Sequence, residues 1–150
     1  MLCALILVRT RKIQVSFKRY SELRRLSTFE DRFAYLRLYG GVGETTFGFD
    51  RHINQGFYHS MEWAQTRDFV ITRDNGCDLG VLGYEIHRDL LVHHMEPMTK
   101  DDIIHGEEWI LNPEYLITTT HTTHNAIHYG NALLVPRVHV DRSPGDTKLW

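Results

Sequence analysis

Between Leu90 and Gly130 the chain carries six histidines, four of them in two pairs, and no other feature limits its fold so tightly. Leu90-Leu91-Val92-His93-His94 closes a short apolar run on an adjacent pair. Thr120-His121-Thr122-Thr123-His124-Asn125-Ala126-Ile127-His128-Tyr129-Gly130 sets two more at i and i+4. On a helix such residues share a face, with Cβ atoms about 5–6 Å apart, so His124 and His128 can reach one ion. In a strand, neighbours point to opposite faces, so His93 and His94 cannot do the same job. One can face the ion while the other stands beside it as a base. Three histidines are enough protein ligands for a catalytic metal with open positions. The competing reading is a polar cluster of imidazoles in the core, without a metal.

Composition sets the background. At 150 residues, 42% hydrophobic and 24% charged, the chain is most simply one globular domain. A net charge of −2 counts mildly against a nucleic-acid binder unless basic residues cluster. Ten histidines are a large excess for this length, and histidine is both the commonest metal ligand and the usual base near neutral pH. Two cysteines, Cys3 and Cys77, form no disulfide framework and fit a reducing compartment. The apolar run Met1 to Val8 is too short to span a bilayer and lacks the basic start and cleavage site of a signal peptide. A cytoplasmic location, with no membrane partner, is therefore expected.

Along the chain, alternation over Arg9 to Lys18 predicts a strand with one basic face, a solvated edge at least as readily as a phosphate contact. Ser21 and Ser27 read as helix starts, the second with a Ser27/Glu30 capping box, Phe29, Phe33 and Leu36 at helical spacing, and a stop at Gly40-Gly41. Gly43 to Gly56 reads as a loop-rich connection with Asp50, Arg51 and Asn54 as polar candidates. Ser60 caps a helix that ends in the turn Arg73-Asp74-Asn75-Gly76. Tyr84-Glu85-Ile86 and Leu90 to His93, joined by His87-Arg88-Asp89, predict a β-hairpin. Thr99 caps a short helix through Ile104 that stops at Gly106, and Asn112 to Leu116 reads as a turn. Thr118-Thr119-Thr120 resists helix and suits a cap, so the last helix runs from near Thr120 to Gly130. From Asn131 to Trp150 the chain reads as an extended tail containing the turn Ser143-Pro144-Gly145-Asp146. These readings divide the chain into an N-terminal extension with helices (1–56), a core (57–130) and a tail (131–150) within one compact α+β domain.

A zinc protease uses the same His-x3-His spacing but needs a glutamate after the first histidine. That position is Asn125, which cannot take a proton. Taken together, the pairs resemble instead the HNH endonucleases, with their ββα-metal (His-Me finger) fold. The resemblance covers roughly Phe57 to Gly130. It rests on Phe57-Tyr58-His59-Ser60 with Trp63, on Arg73 to Cys77, on Leu91-Val92-His93-His94, on Asn112 to Ile117, and on His124-Asn125-Ala126-Ile127-His128. It is closest to small phage and prophage members, and the ending Pro144 to Trp150 is similar to theirs. Two departures stand out. Tyr115 occupies the place of the family's asparagine, which braces the loop that aims the base; the Tyr115 hydroxyl or Asn112 can take over that task. Cys77, Gly80, Thr120 and Thr123 stand where many members carry the paired cysteines of a zinc ribbon, so no structural zinc is expected.

The resemblance implies a metal-dependent DNA endonuclease, phage or prophage encoded and linked to packaging, with terminase and portal proteins as possible partners. It implies His93, His124 and His128 as ligands to one divalent ion (zinc, magnesium, manganese or nickel), His94 as the general base, and 5′-phosphate and 3′-hydroxyl products. His121, one turn before His124, is a further residue able to line the site. Arg67, Arg73 and Lys100, with Arg88, Arg137 and Lys148, are candidate phosphate contacts, each more readily a solvated surface charge. Two rival functions remain: a non-catalytic DNA-binding or packaging accessory with a degenerate site, favoured by Tyr115 and the slightly acidic charge, and a ribonuclease or nuclease toxin.

Overall fold

The computed structural model describes residues 17–38 and 51–135. The expected strand up to residue 16, the Gly40-Gly41 stop and the tail beyond residue 135 lie outside them, as do Arg137 and Lys148.

The chain begins with a single helical turn, α1 (Tyr20–Leu23), and continues into α2 (Phe29–Leu36). Ser21 lies inside α1 rather than at its start, and α2 is capped one residue later than the sequence pattern predicts: Thr28 accepts from the Asp31 N–H and donates its own hydroxyl to the Asp31 carboxylate. Thr28 and Asp31 form the same three-residue relationship as Ser27 and Glu30, so the local signal was satisfied in a shifted frame. The second half of the expected 43–56 loop is helical, since α3 spans Arg51–Tyr58. Ser60 then caps α4 (Met61–Arg73) by accepting from the Trp63 N–H. The chain leaves α4 through Asn75 and Gly76, both at positive φ.

The strands depart from the expected hairpin. β2 (Tyr84–Glu85) pairs with β1 (Cys77–Asp78), and β3 (Leu90–His94) pairs antiparallel with β4 (Leu116–Thr120). The segment read as a turn and cap is therefore a five-residue strand. Its threonines are β-branched and suit the pleat, and all five residues are buried, so β4 lacks the apolar-polar alternation that marks a half-exposed strand. The connection from β3 to β4 contains α5 (Lys100–His105), with a Thr99/Asp102 capping box and Gly106 at φ 64°, followed by two 3₁₀ turns over Glu108–Leu111 and Pro113–Tyr115. Thr120 ends β4 and caps α6 (His121–Tyr129), which stops at Gly130 in the left-handed region.

The β3–β4 ribbon separates two apolar clusters. Ile117 packs with Leu23, Leu36, Leu38, Met95 and Ile127. Leu116 packs with Trp63 and Val70, and Val92 joins them. Buried charges tie the surrounding elements to the ribbon. The Arg73 guanidinium pairs with Asp74 (2.7 Å), donates to the carbonyls of Pro113 and Leu116, and lies over the Tyr20 ring. Asp74 accepts from the Thr118 N–H. Asp78 is buried and accepts from the N–H groups of Gly80 and Thr120 and from the Thr120 hydroxyl, so it fastens the turn after β1 to the cap of α6. Gly80 is needed there because a Cβ would stand 2.6 Å from the Thr123 methyl. No helix of the described residues is long and apolar enough to cross a membrane.

Asp78→Ala leaves two buried N–H groups without an acceptor, a loss on the order of 3 kcal/mol. Urea unfolding at pH 7 should show it; a loss below about 1 kcal/mol would contradict the role given to this carboxylate.

Candidate metal centre

His93 and His94 end β3, where alternation sends them to opposite sides of the ribbon. His93 turns toward α6. Its ring centroid lies 5.0 Å from that of His124 and 5.1 Å from that of His128, and the His124 and His128 rings are 4.2 Å apart. One nitrogen from each of the three lies within 4.8 Å of the other two, so the group can hold a single metal ion. The Nε2 atoms of His124 and His128 face each other at 3.0 Å, close to the roughly 3.3 Å between two ligand nitrogens about 2.0–2.1 Å from a tetrahedral zinc. Nε2 of His93 and Nδ1 of His128 are buried with no hydrogen-bond partner among the described residues. Buried polar atoms left unpaired cost about 1–3 kcal/mol each, and a cation held by these rings would give His93 a partner. By donor chemistry and by unmet polarity, the cluster fits a divalent ion.

The electrostatics favour the ligating form. Burial, then the neighbouring His124 and His128, holds His93 well below the ordinary imidazole range. Burial lowers His124 as well, and burial with the adjacent His124 brings His128 down to about 4. All three are neutral at pH 7, as metal ligation requires.

His94 turns the other way. It stacks on Trp63 (centroids 5.4 Å apart, planes 16° apart), meets Trp109 edge-on, and has Phe57 nearby. Its Nε2 stands 2.8 Å from the Ile110 carbonyl. A carbonyl only accepts, so Nε2 carries the hydrogen and the lone pair is on Nδ1. Burial lowers this imidazole to about 4, so at pH 7 Nδ1 is a proton acceptor held in one tautomer. Only 7% of the residue is exposed.

The other predicted residues are spread around this arrangement. The Tyr115 ring packs on Phe17 (5.7 Å) and Trp109 (6.4 Å), while its backbone carbonyl accepts from the Met95 N–H just beyond β3. It braces the loop by its ring and main chain, and its hydroxyl makes no hydrogen bond among the described residues. Asn112 caps the second 3₁₀ turn by accepting from the Glu114 N–H. His121 is exposed on α6, with its Nδ1 3.2 Å from the Asn125 amide nitrogen. Arg73 is committed to the interior bonds described above. Arg67 lies at the surface beside Asp68 (3.6 Å), and Lys100 is exposed at the start of α5.

Three contributors escaped the sequence reading. The Ile110 carbonyl has no side-chain signal. Trp109 belongs to no motif of the sequence. Asn125 was weighed only as a position that could not be a base, although its i+4 relation to His121 was legible. The chain matches no protein-family model, no curated protein and no solved structure.

The lowered imidazoles fix the sign of a pH effect. Unfolded histidine titrates near 6.5, so between about pH 4 and 6.5 the unfolded metal-free chain binds more protons than the folded one. Stability is then fully present above that window and falls as pH drops through it, with His94 alone contributing a loss of roughly 3 kcal/mol. Urea midpoints of chelator-treated protein from pH 7.5 to 4.5 should fall steadily, and a flat profile would show that these rings are not held neutral.

Proposed function

We propose that the chain is a metal-dependent DNA endonuclease of the HNH type, in which β3, β4 and α6 form a ββα-metal core. The observation that carries this reading is the convergence of His93, His124 and His128 at one point, with His94 on the same strand fixed as a proton acceptor. The element order supports it too: strand, long connection, strand, then at once the helix bearing His-x3-His. By the same resemblance we place it in phage or prophage DNA packaging, acting in the host cytoplasm with terminase or portal proteins.

His93, His124 and His128 would hold the ion through neutral imidazole nitrogens. When bound, a divalent ion there supplies Lewis-acid stabilisation of the charge that develops on the scissile phosphate and on the leaving 3′ oxygen. Nδ1 of His94 takes a proton from the attacking water. The Ile110 carbonyl holds the ring in the required tautomer and favours the imidazolium that forms. Trp63 and Trp109 restrict the rotation of that ring. Imidazole donors suit zinc and nickel; manganese and magnesium enter by the resemblance to HNH endonucleases.

A second reading has one observation of its own. His94 is 7% exposed between two tryptophans and Phe57, which favours a non-catalytic DNA-binding accessory that keeps the shape. Plasmid nicking separates the two. The parent chain should nick supercoiled DNA with added manganese, nickel or magnesium and lose this with chelator. His94→Ala should lose at least about 100-fold in rate, the usual minimum for a general base, while metal affinity stays nearly intact. A parent that never cuts would support the accessory, and a variant that cuts as well as the parent would remove His94 from the chemistry.

A further inference from the structure

His121 and Asn125 lie one turn apart on α6, as do His124 and His128, so two polar stripes run side by side. The Asn125 side chain bridges them. Its amide nitrogen is 3.2 Å from Nδ1 of His121, and its amide oxygen is 3.4 Å from Nδ1 of His124. The amide oxygen only accepts and the nitrogen only donates. Nδ1 of His124 therefore carries the hydrogen and Nδ1 of His121 the lone pair. With its hydrogen on Nδ1, a neutral His124 has its lone pair on Nε2, the atom that faces Nε2 of His128 at 3.0 Å. The 3.4 Å contact is long for such a bond, yet it is the one polar partner that Nδ1 of His124 has among the described residues.

We infer that Asn125 is a positioning residue for the metal centre: its amide oxygen holds His124 in the tautomer whose Nε2 can bind the ion. The inference rests on the metal-centre reading above. Outer partners of this kind orient a ligand ring and raise its basicity, and their loss weakens metal binding by about 10–100-fold. The position excluded as a protease base thus has a different task. An amide there can hold a ligand ring without adding charge, and the same amide sets the tautomer of the exposed His121.

The test uses the full chain and Co²⁺, followed by its visible absorption and by calorimetry at pH 7. Asn125→Ala should weaken Co²⁺ binding by about tenfold or more and perturb the absorption band. Asn125→Asp keeps an acceptor oxygen and should bind within about threefold of the parent or more tightly. His121→Ala, which removes only the far end of the bridge, should change affinity by less than about twofold. Parent-like binding by Asn125→Ala would overturn the inference, as would equal loss in the Ala and Asp variants, or a His121→Ala loss as large as that of Asn125→Ala. His124→Ala separates the two levels of argument. If it abolishes binding while Asn125→Ala does not weaken it, only the positioning role falls. If His124→Ala binds like the parent, or the parent does not bind, the metal-centre reading falls with it.

Discussion

The antiparallel pairing of β3 with β4 sets His93 opposite Ile117 and His94 opposite Leu116. That register decides which histidine meets which surroundings. The Ile117 side belongs to the cluster with Leu36 and Ile127, so His93 is delivered to α6 and its two imidazoles. The Leu116 side belongs to the cluster with Trp63 and Val70, so His94 is delivered to the aromatic wall and the Ile110 carbonyl. A slip of one residue would exchange the two faces and separate the three converging rings. β4 then passes directly into α6 through Thr120, which is both the last strand residue and the helix cap, so the spacing between His93 and His124 is set by continuous backbone geometry.

The register is held by buried polar groups outside the ribbon. Asp74 binds the Thr118 N–H and Asp78 binds the Thr120 N–H, two alternate positions on the same strand. Arg73 links Asp74 to the carbonyls of Pro113 and Leu116 at the point where the long connection re-enters the sheet. Glu114 in that connection accepts from the Ser21 N–H, which brings the N-terminal helical turn into the same support. Asp74 and Asp78 are buried and costly to bury unless paired, and both carboxylates, with the half-buried Arg73 and Glu114, bond to the strand or loop that positions a histidine or to its support.

The division of the histidines was legible in the sequence. Period-two alternation separated His93 from His94, and the i, i+4 spacing joined His124 to His128, because both depend only on local backbone geometry. Helix caps at Ser60, Thr99 and Thr120 were legible for the same reason. Long-range pairing was not. His87 to Asp89 looks like a turn between two β segments, yet β3 found its partner in Leu116–Thr120 across the long connection, where it could bury both faces. The threonines of β4 hid the strand, since a strand buried on both sides shows no alternation and threonine also serves as a cap. Nor could the sequence place the Ile110 carbonyl or the Trp63 and Trp109 rings around His94, which meet only after β3 and β4 have paired. Tyr115, standing where asparagine was expected, supports the loop by ring packing and by its carbonyl to Met95 rather than through its hydroxyl.

In the proposed metal centre, the β3–β4 pairing brings His93, His124 and His128 to one mononuclear site. X-ray absorption at the zinc edge, on protein carrying one equivalent of zinc, tests it most directly. The expected spectrum shows three imidazole nitrogens around the zinc at about 2.0–2.1 Å, a set lost when any one of the three histidines is replaced. A shell with a sulfur at about 2.3 Å, or one unchanged in the His93→Ala, His124→Ala and His128→Ala variants, would contradict it.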